Sequence, residues 1–341
     1  MKIPLFLLSA LLLTSVTRRG DAALEDLPAY QPETQVTGTI TSWGHVFMKD
    51  VMKKWERGFQ KFQPGVRFSD NLVSSAAATG ALFTGTADLG LVGREIRPME
   101  VAGYNRVMKH KPYGIEVMTG SYADADKSLA LAIFVQRDNP LAQLTYAQLD
   151  AVFGGELRQG APARIRTWGQ LGLTGAWANR PIHVYIGVPD AAPGFVFSQV
   201  VMKGSLLWND EAKVFDDADL PGGKTLTSQQ QIVDAVGADR DGIGLAGAGT
   251  RNPQAKLIAI APRAGGPFLA PTPESVADRT YPLVRSVWIY VNHAPGQPIA
   301  PKVKEFLRYI LSREGQADVA ADGVYLPLTA AMVRAQLQRL Q

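Results

Sequence analysis

LALAIFV at Leu129–Val135 and LVRSVWIYV at Leu283–Val291 are the two strongest apolar runs in the central part of the chain. Short apolar runs rich in β-branched and aromatic residues and bounded by turn residues read as buried strands. Asp138-Asn139-Pro140 closes the first run. The two runs bracket residues 136–282. A chain that leaves one lobe, builds a second and returns shows this pattern, so the N-terminal segment is expected to pack with the C-terminal helix.

Working outward, strand-like and helix-like segments alternate, which predicts α/β architecture. Val36–Trp43 reads as a strand ending at Gly44. Val51, Trp55, Phe59 and Phe62 then form one helical stripe, stopped by Pro64-Gly65. Val66–Val73 reads as a strand, Ser74-Ser75 as a helix start before Ala76-Ala77-Ala78, and Ala87–Val92 as a buried strand. Further on, a helix is expected from Thr145, mostly loop over 154–181, a strand over Pro181–Val188 and a helix over Phe195–Met202. A helix over Ser228–Val236 and short strands over Ile243–Ala246 and Leu257–Ala261 follow. Pro301 opens the best-patterned helix, with Val303, Phe306, Leu307, Ile310 and Leu311 on one face and Gly315 as its stop.

Of 341 residues, 46% are apolar and 19% charged, enough for buried cores and too few charges for disorder. There is no cysteine. Disulfides, thiolate metal sites, cysteine nucleophiles and a lipidated N-terminal cysteine are therefore excluded. Residues 1–22 read as an export signal: Lys2, an apolar stretch over Ile3–Val16, and small residues at Gly20 and Ala22 before the cut. Cleavage would remove three of the 35 basic residues and one of the 31 acidic ones, so the formal +4 falls to +2. Such a balance gives no composition-level case for nucleic acid. The expected mature protein is exported, soluble and not a lipoprotein.

Metal and nucleotide motifs are weak. His45, His110, His183 and His293 do not pair at helical spacing. Gly242-Ile-Gly-Leu-Ala-Gly247 has the GxGxxG spacing but lacks a strand before it and a helix after it, so it reads as a turn and short strand. Lys49, Lys53, Lys54, Arg57 and Lys61 give the first helix a basic face, open to three readings: solvated, nucleic-acid stripe or docking surface.

Several segments resemble the substrate-binding proteins of phosphate ABC transporters, the PstS-like family. They are TGALFTGTADLGLVGREIRPME (79–100), DNPLAQLTYAQLDAVFGG (138–155), TWGQLGLTGAWANRPI (167–182), DRDGIGLAG (239–247), YPLVRSVWIYVN (281–292) and KVKEFLRYILSREGQADVAADGVYLPL (302–328). The resemblance implies a type II periplasmic-binding-protein fold, two α/β lobes joined by two crossover strands. Lobe 1 would hold 31–133 plus 285–341, and lobe 2 would hold 134–284.

The family grips its anion at three places, since a dehydrated oxyanion needs convergent donors. The first, a turn after the first strand, falls on Gly44-His45-Val46-Phe47, where both hydroxyls are gone. The second, a helix start, falls on Ser74–Ala78, keeping Ser75, followed by Gly93-Arg94-Glu95. The third falls on Gly187 and Ala191-Ala192-Pro193 with Asp190 alongside, where the arginine and both hydroxyls are lost. The resemblance thus makes Gly44, His45, Phe47, Ser75, Ala76, Arg94 and Asp190 the ligand-contact candidates. Each has a structural reading too: Ser75 as a helix cap, Arg94 with Glu95 as a surface or interlobe pair, His45 and Phe47 as filling of the lost pocket, Asp190 as a turn residue. Charged hydrogen bonds are worth about 1.5–3 kcal/mol each, so a cradle this degenerate points away from tight phosphate binding.

The implied function is capture of a small solute, phosphate or another, in the periplasm, and delivery to an ABC permease in the inner membrane. The chain would act as a monomer, without cofactor, metal, nucleic acid or catalysis. The alternative is a scaffold or sensor module that keeps the lobes without the solute.

Overall fold

The computed structural model describes residues 24–122 and 128–341. The leader assigned to residues 1–22 lies outside the described residues. Along the chain come β1 (Gly38–Gly44), β2 (Val66–Leu72), β3 (Leu89–Val92) and β4 (Tyr113–Thr119). There follow β5 (Leu131–Gln136), β6 (Gln143–Thr145), β7 (His183–Gly187), β8 (Lys213–Phe215), β9 (Ala218–Leu220), β10 (Lys224–Leu226), β11 (Gly242–Gly247), β12 (Ala255–Leu257) and β13 (Ala259–Ala261). β14 (Ser286–Val291) is last.

Two five-stranded sheets form, ordered β2-β1-β3-β14-β4 and β12-β5-β11-β7-β8. In the first, β1 runs parallel to β2 and β3, while β14 is antiparallel to β3 and β4. In the second, β11 and β8 run parallel to β7, while β5 is antiparallel to β11 and β12. Each sheet therefore has four strands running one way and a single antiparallel strand, β14 in the first and β5 in the second, that the chain inserts on arriving from the other lobe. Those antiparallel strands are the two apolar runs that bracket the middle of the sequence. Leading into them, the two connections lie side by side: Gly120 N–H donates to the Arg285 carbonyl, and Leu131 N–H to the Leu283 carbonyl, both at 2.9 Å. Leu131–Val135 all pair with β11, so a lobe boundary at 133/134 falls inside a strand of the second sheet.

Each lobe has its own core. Lobe 1 packs Trp55, Phe59, Phe306 and Tyr309 against its sheet, and lobe 2 packs Phe153, Trp168, Phe197 and Ile232 against the other. Fixed placement of the elements matters for function because parallel strands deliver helix N-termini to one edge. The helices Lys49–Gln60, Ser75–Phe83, Ala192–Val200 and Ser228–Ala238 supply these ends.

Some sequence expectations shift. The helix from Pro301 ends at Ile310, and Gly315 belongs to the next helix, Arg313–Asp322. Ser312 caps that helix, its Oγ accepting from Gly315 N–H at 3.2 Å. A side chain at Gly315 would place Cβ 2.2 Å from the Tyr309 carbonyl oxygen, so glycine is there for the tight junction. The helix Ala192–Val200 starts three residues before the expected Phe195. The GxGxxG stretch is the central strand β11, and its glycines let the helix Ser228–Ala238 lie close. A Cβ on Gly244 would sit 2.7 Å from Ile232 Cγ2. On the basic helix face, Lys53 is held by Glu56 and Asp70, each at 2.8 Å.

Candidate functional site

Between the lobes lies a cleft of about 570 Å³. Lobe 1 contributes the His45–Phe47 turn after β1, the start of the helix after β2, and Gly93, Arg94 and Arg97 after β3. Lobe 2 contributes Ala192, Pro193 and Gln229, and the crossovers contribute Ser128, Leu129 and Arg285.

The β1 turn is fixed by its sequence. Gly44 has no room for a side chain, since a Cβ would lie 2.1 Å from the Leu91 carbonyl oxygen. His45 N–H donates to that carbonyl at 2.9 Å. Its Nδ1 accepts from Phe47 N–H at 3.2 Å, so in the neutral ring the proton sits on Nε2. The His45 and Phe47 rings lie 4.8 Å apart and form an aromatic wall.

At the second place, Ser74 is the cap: its backbone is extended and its Oγ accepts from Ala76 N–H at 3.2 Å. That corrects the reading of Ser75 as the cap. Ser75 is buried in the first turn, and its Oγ accepts from Gly93 N–H at 3.2 Å. The Gly93 carbonyl in turn accepts from Ser128 Oγ. This chain of bonds ties β3 to the helix start and to a crossover.

Arg94 reaches the cleft wall with its guanidinium engaged by Glu100, at 2.6 and 2.8 Å, and by the Glu95 carbonyl at 2.9 Å. Burial works against the Glu100 charge, yet the hydrogen bonds from Arg94 and from Arg97 N–H hold its carboxyl below the usual range. The expected Arg94–Glu95 side-chain pair is thus an Arg94–Glu100 pair, and Glu95 faces Arg285 instead at 3.3 Å.

Five of the seven sequence candidates, His45, Phe47, Ser75, Ala76 and Arg94, line the cleft. Gly44 sits behind the wall. Asp190 is 83% exposed and pairs with Arg97 at 2.9 Å across the lobes. Sequence reasoning missed Arg97, Ser128, Gln229 and Arg285. Arg285 is 4% exposed, and among the described residues its Nε has no hydrogen-bond partner. Arg97 Nε is likewise buried and, among the described residues, unpartnered. The cleft is therefore not stripped of guanidinium groups: they come from the end of β3 and from a crossover, away from the position where the family pattern sought one.

Two α/β lobes that turn helix N-termini toward a shared cleft define a solute-binding protein of the type II periplasmic kind. The family described as PBP superfamily domain matches residues 28–314, and the chain belongs to it, within the relatives of the phosphate-binding protein PstS. It is 31% identical over 315 residues to the phosphate-binding protein PstS of Pseudomonas aeruginosa, covering 92% of this chain and 90% of that one. Among solved structures, an ABC-type phosphate transport receptor from Vibrio cholerae has a TM-score of 0.55 at 19% identity, over 85% of this chain and 100% of that one. PstS from Borrelia burgdorferi has a TM-score of 0.56 at 13% identity, over 85% and 98%. At those identities the structures speak for the fold alone. Among the described residues, no helix is long and apolar enough to cross a membrane.

Proposed function

We infer that this chain captures a phosphoryl oxyanion, orthophosphate being the simplest, between its lobes and hands it to an ABC permease. One observation carries the reading: Arg285 lines the cleft, is almost fully buried, and has an Nε without a hydrogen-bond partner among the described residues. A buried guanidinium donor without a partner is costly, and an anion would satisfy it. The helix starts at Ser75 and Ala192 bring backbone N–H groups and positive dipole ends to the same space.

In this reading Arg285 and Arg97 supply charge, and Ser75 and Ala76 supply the helix start. His45, Phe47 and Arg94 shape the wall, Gly44 sets the turn behind it, and Asp190 acts at the lip. Residues 31–130 with 285–341 form one lobe and 131–284 the other, with the exchange running through the crossovers and the first boundary moved ahead of the strand Leu131–Gln136. The protein works exported, after loss of residues 1–22 and without a lipid anchor, as a monomer that performs no chemistry on its solute. Binding favours the closed arrangement of an open–closed equilibrium, and the permease recognises that form.

Calorimetry and thermal shift with orthophosphate, sulfate and molybdate test this. Orthophosphate is expected to raise the melting temperature, by an amount equivalent to about 2.7 kcal/mol at a hundredfold excess over Kd. No response to any oxyanion would remove the reading and favour a scaffold or sensor that keeps only the lobes.

A further inference from the structure

The cleft holds more room than a bare tetrahedral anion fills, and part of its wall is aromatic. Arg97 already bridges to Asp190 across its mouth, so about 570 Å³ is the space left with the lobes in contact. Orthophosphate occupies roughly the room of two or three waters at ~30 Å³ each. Sites of about 300–1,000 Å³ are those that hold organic ligands.

Part of the cleft lining is apolar and offers nothing to orthophosphate alone. His45 and Phe47 pack side by side there, with Leu129 and Pro193 on the same cleft. Beside it lies a second hollow of about 260 Å³, which shares Phe47, Pro193 and Gln229 with the first. Asp216 and Asp217 line that hollow. Each uses one carboxylate oxygen in a backbone bond, Asp216 accepting from Asp217 N–H at 2.8 Å and Asp217 from Ser228 N–H at 2.7 Å. Among the described residues neither enters an ion pair. The two adjoining hollows thus present a guanidinium at Arg285, the aromatic Phe47 at their shared wall and carboxylates at Asp216 and Asp217.

We propose that the solute is an organic phosphoryl compound with a short cationic arm, a phosphomonoester or phosphonate carrying an ammonium group. The phosphoryl group lies at Arg285 and the Ser75 helix start, the carbon arm runs over Phe47, and the ammonium meets Asp216 and Asp217. This rests on the phosphoryl reading above and narrows it. The carboxylates are attractive to a cation and repulsive to a second anion, so they also select against inorganic polyanions.

Titration calorimetry of the mature chain with orthophosphate, glycerol 3-phosphate and O-phosphoethanolamine decides it. Phosphoethanolamine is expected to bind at least about tenfold more tightly than either of the others. Asp216→Asn with Asp217→Asn should erase that preference and leave orthophosphate affinity within about twofold, and Phe47→Ala should weaken both organic ligands more than orthophosphate. Orthophosphate or glycerol 3-phosphate binding as tightly as phosphoethanolamine would overturn the proposal and leave the phosphoryl reading intact. Silence from all three would take down both.

Discussion

Arg97 and Asp190 clasp the two lobes from opposite sides of the cleft. Nη1 lies 2.9 and 3.1 Å from the two Asp190 carboxylate oxygens, Nη2 donates to the Asp190 carbonyl, and the guanidinium carbon sits 5.8 Å from the Phe195 ring centre. Arg97 belongs to lobe 1 and precedes the helix Pro98–Met108; Asp190 and Phe195 belong to lobe 2. The Asp190 side chain is 83% exposed, so solvent screens the pair and its contribution is about 0–1 kcal/mol. Asp190→Asn is therefore expected to shift the closed-to-open ratio of the ligand-free protein toward open by up to about fivefold. Small-angle scattering should show a larger radius of gyration for the variant. In the wild type the same expansion should appear on raising salt to about 1 M, where the screening length is ~3 Å. Identical scattering for both proteins at low salt would mean that the pair does not govern closure.

Arg285 is the residue on which anion binding depends most. It is nearly buried, and Glu95 at 3.3 Å is its one ion-pair partner among the described residues. A charged hydrogen bond is worth about 1.5–3 kcal/mol, so Arg285→Ala should weaken orthophosphate about 10- to 100-fold. Arg285→Lys should recover part of the loss, because it keeps the charge and loses the planar fork. Calorimetry gives the affinities, and the melting temperature of each variant separates lost binding from lost folding. Unchanged affinity in Arg285→Ala would place the anion elsewhere.

Arg285 also shows where sequence reading stopped. The apolar runs around residues 129 and 283 revealed the crossovers, and apolar periodicity revealed most helices, because burial imposes those patterns directly. Tyr113–Thr119, Pro98–Met108 and Ala330–Arg339 carried weaker signals and were not anticipated. The β1 turn, the Ser75 helix start and Arg94 were placed on the cleft by family register. Register could not show that Arg97 and Arg285 would bring guanidinium groups from segments 188 residues apart, since only the folded sheet order makes them neighbours of one cleft. A signal was present: Arg285 is a charge inside an apolar strand-like run, and a charge buried there needs a partner or a ligand. Ser74 and Ser75 illustrate a smaller limit. Two adjacent serines are equivalent as caps on paper, and only the extended backbone of Ser74 decides between them.

Glu56 carries a pH dependence of stability. It is 6% exposed, and Lys53 Nζ bridges it to Asp70. Burial and the neighbouring Asp70 push its carboxyl up to about 7, against the pull of Lys53. A raised carboxyl favours the folded state while protonated, so that contribution is present below the unfolded value of about 4.3 and is lost as pH climbs to about 7. Glu56→Gln imitates the protonated form and can still donate to Asp70. Its melting temperature is expected to match wild type near pH 4 and to exceed it at pH 8. Calorimetric scans across that range check the sign; a variant less stable than wild type at pH 8 would show that the Lys53 attraction outweighs burial.

Gly244 separates packing from nucleotide binding in the GxGxxG stretch. β11 is the middle strand of its sheet, and the helix Ser228–Ala238 lies directly against it. A Cβ on residue 244 would come within 2.7 Å of Ile232 Cγ2 and 2.8 Å of Val236 Cγ2, both on fully buried side chains. Branched side chains in a filled core cannot swing away, so the helix must shift, at a cost of about 1–3 kcal/mol. Gly244→Ala should lower the denaturant midpoint at an unchanged slope, which is the signature of lost stability without a change in the surface exposed. Its affinity for orthophosphate should stay within about twofold, because β11 supports the cleft through Gln229, whose Oε1 accepts from Gly247 N–H at 2.8 Å, and not through residue 244 itself. A variant with wild-type stability would show that the helix has slack against the sheet, and the close approach at Gly244 would then carry no packing role.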